Sequence, residues 1–404
     1  MQNCVDAVMP ILELNDLYLS RDFANCKTNL AFDCGNQAML NFCHALSANL
    51  LKDKHARQFP DIMTFGYFCR RANIRNVLRK MQNPGNRQGW GLILHIASSN
   101  IPINFAFSFL MGFLTGNVNY VRVPSSHFSQ IEIIVAAIDR VLDQKSFTKL
   151  AERICFFSCE RDNQSLVQLV NNCDGLVVWG GDETVAKFQS FEKKPRVIEL
   201  YFPNRVSSLL IDATAIVDCD GAAFTKLMND FFNDTFLVDQ NACSSPNVVY
   251  WLGEPQVIAV AQEKFWSNFE KTLENKFVSK SAMAIEKRLD FLRMIQSSNC
   301  PLTLKEYGPH IWLFEGDNLI GETLRFGNFL QIKIQNSSQL ARYIRPNEQT
   351  LTYFGVTPTD IHKVILACGK SVDRIVPVGQ ALAIGMHWDG KNVLDLLSRE
   401  IEII

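Results

Sequence analysis

The stretch "GLILHIASSNIPINFAFSFLMGFLTGNVNYVRV", residues 91–123, sets the reading of the whole chain. It opens on a short apolar run, Leu92 to Ala97, and breaks on Ser98, Ser99 and Asn100. An apolar segment of helical length follows, Asn104 to Leu114, and then a second strand-like run from Val118 to Val123. A strand, a helix and a strand at this spacing make a βαβ unit, whose two strands are parallel. Outward from it the pattern repeats: "IEIIVAAIDRVLDQ" reads as a helix, "RICFFS" as a strand, "DNQSLVQLVNNC" as a helix and "DGLVVWG" as a strand. Alternation of this kind predicts an α/β protein on a parallel sheet, and such sheets take ligands at the carboxyl ends of their strands. Toward the N-terminus, "NQAMLNFCHALSANLLKD" carries apolar residues at three- and four-residue steps, so residues 1–82 read as a helical region that ends where "NPGNRQGWG" interrupts the period. Helices return after residue 239 in "PQVIAVAQEKFWSNFEKTLENKF", followed by further strand-like runs. The divisions expected are therefore 1–82, 83–238, 239–375 and 376–404.

The 404 residues are 47% hydrophobic and 20% charged, an ordinary globular composition, with a formal net charge of -1. Nothing in that balance attracts the chain to nucleic acid or to an anionic membrane surface. The most apolar stretch, residues 101–121, is interrupted by Pro102, Asn104, Ser108 and Gly112, and its unbroken part is well short of the ~20 residues that span a bilayer. A buried helix is the reading. The opening "MQNCVDAVMPILELNDLYL" carries Asp6, Glu13 and Asp16 and does not read as a secretory leader. Twelve cysteines show no C-x-x-C pair, so no metal site is expected, and most of them read as small reduced hydrophobes of a cytoplasmic protein.

Three places carry chemistry. "GLVVWGGDETVAKF" runs from an apolar strand through Gly180 and Gly181 into a helix opening on Asp182, where glycine amides and a helix N-terminus suit an anion. A tight turn capped by Asp182 fits the same residues. Asn100 stands between a strand and a helix, where its amide can reach a site at the sheet edge or can cap the helix, and Arg122 ends the next strand within reach of a phosphate. "DQNACSSPNVVYW", residues 239–251, sets Cys243 among small neighbours, Ala242, Ser244 and Ser245. A helix beginning after Ser245 would help to lower the thiol pKa.

Taken in order, Asn-x-Pro after a strand, Gly116-Asn117 with a basic residue five places beyond the Asn, the Gly-Gly turn, and Cys followed by small residues resemble the aldehyde dehydrogenase superfamily. The sequence is most similar to its LuxC-type branch, the long-chain fatty acyl-CoA reductases, in "HIASSNIP", "DQNACSSP" and "RIVPVGQALAIGMHWDG". That resemblance covers about residues 85 to 404. It implies an aldehyde-dehydrogenase-like fold with a Rossmann-type cofactor domain (83–238), an α/β catalytic domain (239–375) and a C-terminal segment (376–404) returning to the cofactor and oligomerisation region. It also implies NADPH-dependent reduction of an acyl-CoA or acyl thioester to the aldehyde. Cys243 is then the nucleophile, Asn100 with the Cys243 backbone N–H the oxyanion donors, and Arg122, Ser125, Gly180 and Gly181 cofactor contacts. The partners implied are a fatty acyl-CoA or an acylated protein, within a homo-oligomer or multienzyme complex.

The departures from the wider superfamily are informative. Where oxidising members carry a Glu-Leu-Gly-Gly-Lys segment whose Glu activates water, this chain has "VIELYFPNRVSS", with Glu199 but no paired glycines. Loss of a hydrolytic base favours reduction, and Glu199 reads as a strand-end residue. Arg122 stands where the family has Lys, and Ser125 or Ser126 where it has an acid gripping the ribose hydroxyls, which suits a 2′-phosphate. Glu306 in "KEYGPHIW" reads as a turn before a strand, and His95, His310 and His387 as core or capping residues. A cysteine-dependent acyl transferase or thioesterase without hydride transfer is the alternative activity.

Overall fold

The computed structural model describes residues 16–19, 32–278, 281–297, 303–315, 324–369 and 371–403. Most of the opening stretch read above, residues 1–15, lies outside them. The chain divides into two compact units, Met1–Pro203 with Gly385–Ile404, and Asn204–Ile384. These divisions fall at positions that apolar periodicity does not mark.

The first unit is built on a six-stranded sheet: β1 (Asp16–Leu19), β2 (Leu92–Ile96), β3 (Val118–Arg122), β4 (Ile154–Ser158), β5 (Gly175–Trp179) and β6 (Ile198–Phe202), in the spatial order β1-β4-β3-β2-β5-β6. All neighbours are parallel except β1, which runs antiparallel along the edge of β4. The N-terminal region, expected to be helical, thus also lends a strand to this sheet. Its helices are α1 (Gln37–Lys52), α2 (Pro60–Phe68) and α3 (Arg71–Leu78), and the crossovers of the sheet are α4 (Asn104–Leu114), α5 (Ser129–Leu142), α6 (Gln164–Asn172) and α7 (Asp182–Ser190). Every residue of α4 is buried, which is why its sequence is apolar all round instead of striped. Phe105 and Phe109 pack edge-on against Phe156 of β4.

The second unit carries a seven-stranded sheet of β7 (Val206–Asp212), β8 (Pro246–Leu252), β9 (Thr303–Tyr307), β10 (Ile311–Glu315), β11 (Asn328–Ile334), β12 (Glu348–Phe354) and β13 (Arg374–Pro377), ordered β9-β10-β11-β8-β7-β12-β13. Only β9 is antiparallel, joined to β10 by the turn at Gly308, Pro309 and His310. Glu306 therefore lies within a strand, opposite Trp312, and not in the turn expected of it. One face of the sheet is covered by α8 (Gly221–Thr235) and α9 (Pro255–Lys276), whose Phe231, Phe265, Trp266 and Phe269 form an aromatic core with Trp251 and Phe329. Two further long helices of the unit are α10 (Ser281–Ser297) and α11 (Pro358–Cys368). No helix of the described residues is long and apolar enough to cross a membrane.

Candidate functional site

In the first unit the chain passes from β2 to β3 and β4 on one side, then crosses to β5 and β6 on the other. The order reverses between β2 and β5, and a doubly wound sheet opens a crevice at the carboxyl ends of its strands at such a switch point. Two sequence-predicted pieces leave that point from adjacent strands: the loop bearing Asn100, after β2, and Gly180–Gly181, after β5. Arg122 ends β3, and Ser125 and Ser126 follow it exposed. The fold thus brings Asn100, Arg122, Ser125, Gly180 and Gly181 to one edge of one sheet.

Their local geometry refines the sequence reading. Asn100 is exposed, and the capping position of α4 belongs to Ile103, which makes no side-chain cap bond. The amide of Gly180 donates to the Phe202 carbonyl at 3.3 Å, so this glycine ties β5 to β6. A Cβ there would meet Thr184 at 3.0 Å. Gly181 occupies the cap position of α7 without a side-chain bond, and Asp182 is the first helical residue, not the cap. Arg122 is 5% exposed and its Nε donates to the Cys159 carbonyl at 2.9 Å. The guanidinium also opposes the rise that burial imposes on the Cys159 thiol pKa. Glu199 pairs with Lys193 at 3.3 Å and accepts from the Tyr201 hydroxyl.

Periodicity missed an aromatic wall beside the glycine turn. Trp179, the last residue of β5, stacks on Phe202 with ring centroids 3.8 Å apart and 10° between planes, and meets Trp388 edge-on at 4.4 Å. Its indole N–H donates to Ser108 Oγ at 2.8 Å, and Ser108 Oγ lies 2.8 Å from His95 Nδ1. Nε2 of His95 lies 3.1 Å from Asn119 Oδ1, while the Asn119 amide donates to the Asn117 carbonyl. That last bond makes Oδ1 the acceptor and puts the imidazole proton on Nε2, leaving Nδ1 to accept from the Ser108 hydroxyl. Burial pushes His95 down to about 4, so the chain of bonds keeps a neutral imidazole at ordinary pH. Gly112 is what makes room, since a Cβ there would sit 2.1 Å from Asn119 Oδ1. The core reading of His95 holds. The one signal available in sequence was an aromatic residue directly before two glycines.

In the second unit Cys243 sits half-buried in a turn that leads directly into β8. The helix expected after Ser245 is absent: Pro246 opens a strand buried between β7 and β11. The helix dipole expected from that segment is therefore missing at this thiol. The turn is held by backbone bonds from Asn241 N–H to Val238 and from Ser245 N–H to Ala242, each 2.9 Å. Asp239 and Gln240 before it both adopt left-handed backbone, φ 54° and 55°, a conformation uncommon outside glycine. The C-terminal block "VPVGQAL" turns at Gly379, where Asp234 at the end of α8 accepts from the Gly379 and Ala381 amides at 2.6 and 2.9 Å. Arg374 grips the same turn through the carbonyls of Ala381 and Gln380. Among the described residues no cluster of His, Cys, Asp and Glu could hold a metal ion.

Asp234 is 1% exposed, and burial lifts its carboxyl to about 6 against the two amide bonds and Arg374, which pull it down. The sign follows from linkage. Its folded pKa lies above the unfolded value, so the folded state holds the extra proton, and the contribution is largest below about pH 4 and declines until about pH 6. Chemical denaturation of the wild type and Asp234→Asn across that window should show their stability difference falling by about 3 kcal/mol as pH rises. A pH-independent difference would assign the carboxylate an ordinary pKa.

A family model described as acyl-CoA reductase (LuxC) matches residues 67–400. A long-chain acyl-protein thioester reductase of Aliivibrio fischeri is 25% identical over 202 residues, 49% of this chain and 40% of that protein. A protein of the same description from Photorhabdus luminescens is 21% identical over 328 residues, 76% of this chain and 62% of its own length. The chain thus spans less than two thirds of these relatives. Among solved structures, aldehyde dehydrogenase 21 from Physcomitrella patens superposes with a TM-score of 0.64 at 12% identity, over 92% of this chain and 86% of that one. The fold is aldehyde-dehydrogenase-like, as the ordered motifs implied.

Proposed function

Because the chain belongs to the LuxC family of acyl-CoA reductases, we propose that it reduces a long-chain acyl thioester to the aldehyde through an acyl group held on Cys243. The observation that carries the proposal is the Cys243 turn, a half-buried thiol among small residues on a backbone fixed from both sides. The Cys243 thiolate attacks the thioester carbonyl, and the negative charge that develops on oxygen is met by the Asn100 amide and the Cys243 backbone N–H. Collapse of the tetrahedral adduct expels the donor thiolate, which takes up a proton, and leaves the acyl group on Sγ. NADPH, when bound, supplies hydride for the reduction. The thiohemiacetal on Cys243 then releases aldehyde and restores the thiolate.

Residues at the carboxyl edge of the first sheet fit such a cofactor in kind. The first-turn amides of α7 open beside the switch point, Ser125 and Ser126 are exposed at the end of β3, and the sequence has serines where the wider superfamily has its ribose-gripping acid. NADPH is accordingly preferred over NADH, and the donor is a fatty acyl-CoA, after the family's description, or an acylated protein, after the relatives'. The protein acts in the cytoplasm, as a homo-oligomer or within a multienzyme complex. The test is incubation with a panel of acyl-CoAs while NADPH absorbance and aldehyde are followed. Thiol release without NADPH oxidation would replace the proposal by an acyl transferase or thioesterase.

Cofactor choice has its own test. If Arg122 pairs with the 2′-phosphate, Arg122→Ala should weaken NADPH by roughly 1.5–3 kcal/mol and leave NADH nearly unchanged. Ser126→Glu, or Ser125→Glu, should move preference toward NADH. Dissociation constants for both cofactors at two salt concentrations decide, because a phosphate contact weakens with salt. Equal losses for both would assign Arg122 to its bond with Cys159 alone.

A further inference from the structure

Two buried side chains with no role in the chemistry above act on the Cys243 turn. Ser207, in β7 and 0% exposed, donates from Oγ to the Cys243 carbonyl at 2.6 Å. The same oxygen accepts from the Thr350 N–H of β12 at 3.1 Å. One hydroxyl thus passes a hydrogen bond from a strand of the central sheet to the residue bearing the thiol. Gln240, 3% exposed, bridges in the other direction: Nε2 donates to the Pro246 carbonyl at 3.1 Å and Oε1 accepts from the Gly327 N–H at 2.6 Å. Its own N–H donates to the Thr235 carbonyl at 2.9 Å. The backbone at Gln240 would be easier for glycine, and left-handed residues cost of order 1–3 kcal/mol. A long amide kept at such a position points to a task for the side chain.

We propose that Ser207 and Gln240 are positioning residues that together fix the direction in which Cys243 presents its thiol. Ser207 pins the carbonyl of Cys243 itself, and Gln240 fixes the two chain segments, Pro246 and Gly327, between which the turn is slung. Each acts through the backbone and touches no substrate. The proposal rests on the reading of Cys243 as the acyl-accepting nucleophile. A misplacement of the order of 1 Å at a reacting group costs about a hundredfold in rate, so the effect of loosening the turn is measurable.

Ser207→Ala and Gln240→Gly provide the test, with Ser207→Thr as the variant that keeps the hydroxyl and Cys243→Ala alongside. Three quantities are read: the amplitude of thiol release from palmitoyl-CoA, which counts competent sites, the acylation rate per counted site, and the rate of Cys243 alkylation by iodoacetamide. Expected are a fall in acylation rate per site of about 10- to 100-fold in Ser207→Ala and Gln240→Gly, and recovery of most of it in Ser207→Thr. Alkylation should slow by roughly threefold or more. If Ser207→Ala does not fold, Gln240→Gly decides, since it relieves the left-handed residue while removing the amide. Unchanged per-site rates, or losses confined to the number of competent sites, would overturn the proposal. Thiol release persisting in Cys243→Ala would instead refute the nucleophile, and the alkylation rates would then decide positioning alone.

Discussion

Cys243→Ala should abolish aldehyde formation and labelling by a radioactive acyl donor, while NADPH binding stays within a few-fold of wild type. The loss should be complete within detection, because no other group in the turn can carry the acyl intermediate. The neighbouring hydroxyls of Ser244 and Ser245 lack an adjacent base that the structure shows acting on them, and Ser245 Oγ is buried without a protein partner. The other described cysteines offer no substitute. Burial lifts Cys43 and Cys173 to about 12, and raises Cys69 and Cys159 as well. Acylation retained in the variant would remove the central assignment. Cofactor binding is the internal control, since Cys243 lies in the second unit and the candidate cofactor residues in the first.

Asn100→Ala should lower turnover on the order of a hundredfold to a thousandfold with little change in apparent affinity. An oxyanion donor acts on charge that appears only in the transition state, so its removal reduces kcat and kcat/KM together and leaves KM near its original value. The competing role, capping α4, would give the opposite pattern: unchanged turnover and a stability loss of ~1 kcal/mol. The fold already speaks against that role, because Ile103 holds the capping position. Steady-state kinetics and thermal unfolding on the same preparation separate the two. An unchanged kcat would return Asn100 to a loop residue of no catalytic consequence.

Much of this molecule is legible in its sequence because each element records its own burial. The run "GLILHIA" is apolar but for His95 because β2 is covered on both faces, and α4 is largely apolar all round for the same reason. Helix α5 carries a stripe, with Ile131, Ile134, Val135, Ile138 and Val141 inward, because one side of it meets water. Those periods fix the alternation of strand and helix, and the alternation fixes a parallel sheet with its carboxyl edge at the loops holding Asn100 and Gly180. The order of motifs added the family, and with it Cys243.

The tertiary structure decided what depends on neighbours distant in sequence. The segment after Ser245, taken alone, reads as the start of a helix, and it forms a strand because β7 and β11 flank it with open hydrogen-bonding edges. The amide of Gly180 finds its partner in the Phe202 carbonyl and the Nε of Arg122 in the Cys159 carbonyl, neither of which a local pattern names. Ser207 looks like any serine in a strand until folding brings Cys243, 36 residues further on, to its hydroxyl. A residue's solvation is written in the periodicity of its own segment, whereas its hydrogen-bond partner is chosen by the packing of segments that local sequence does not describe.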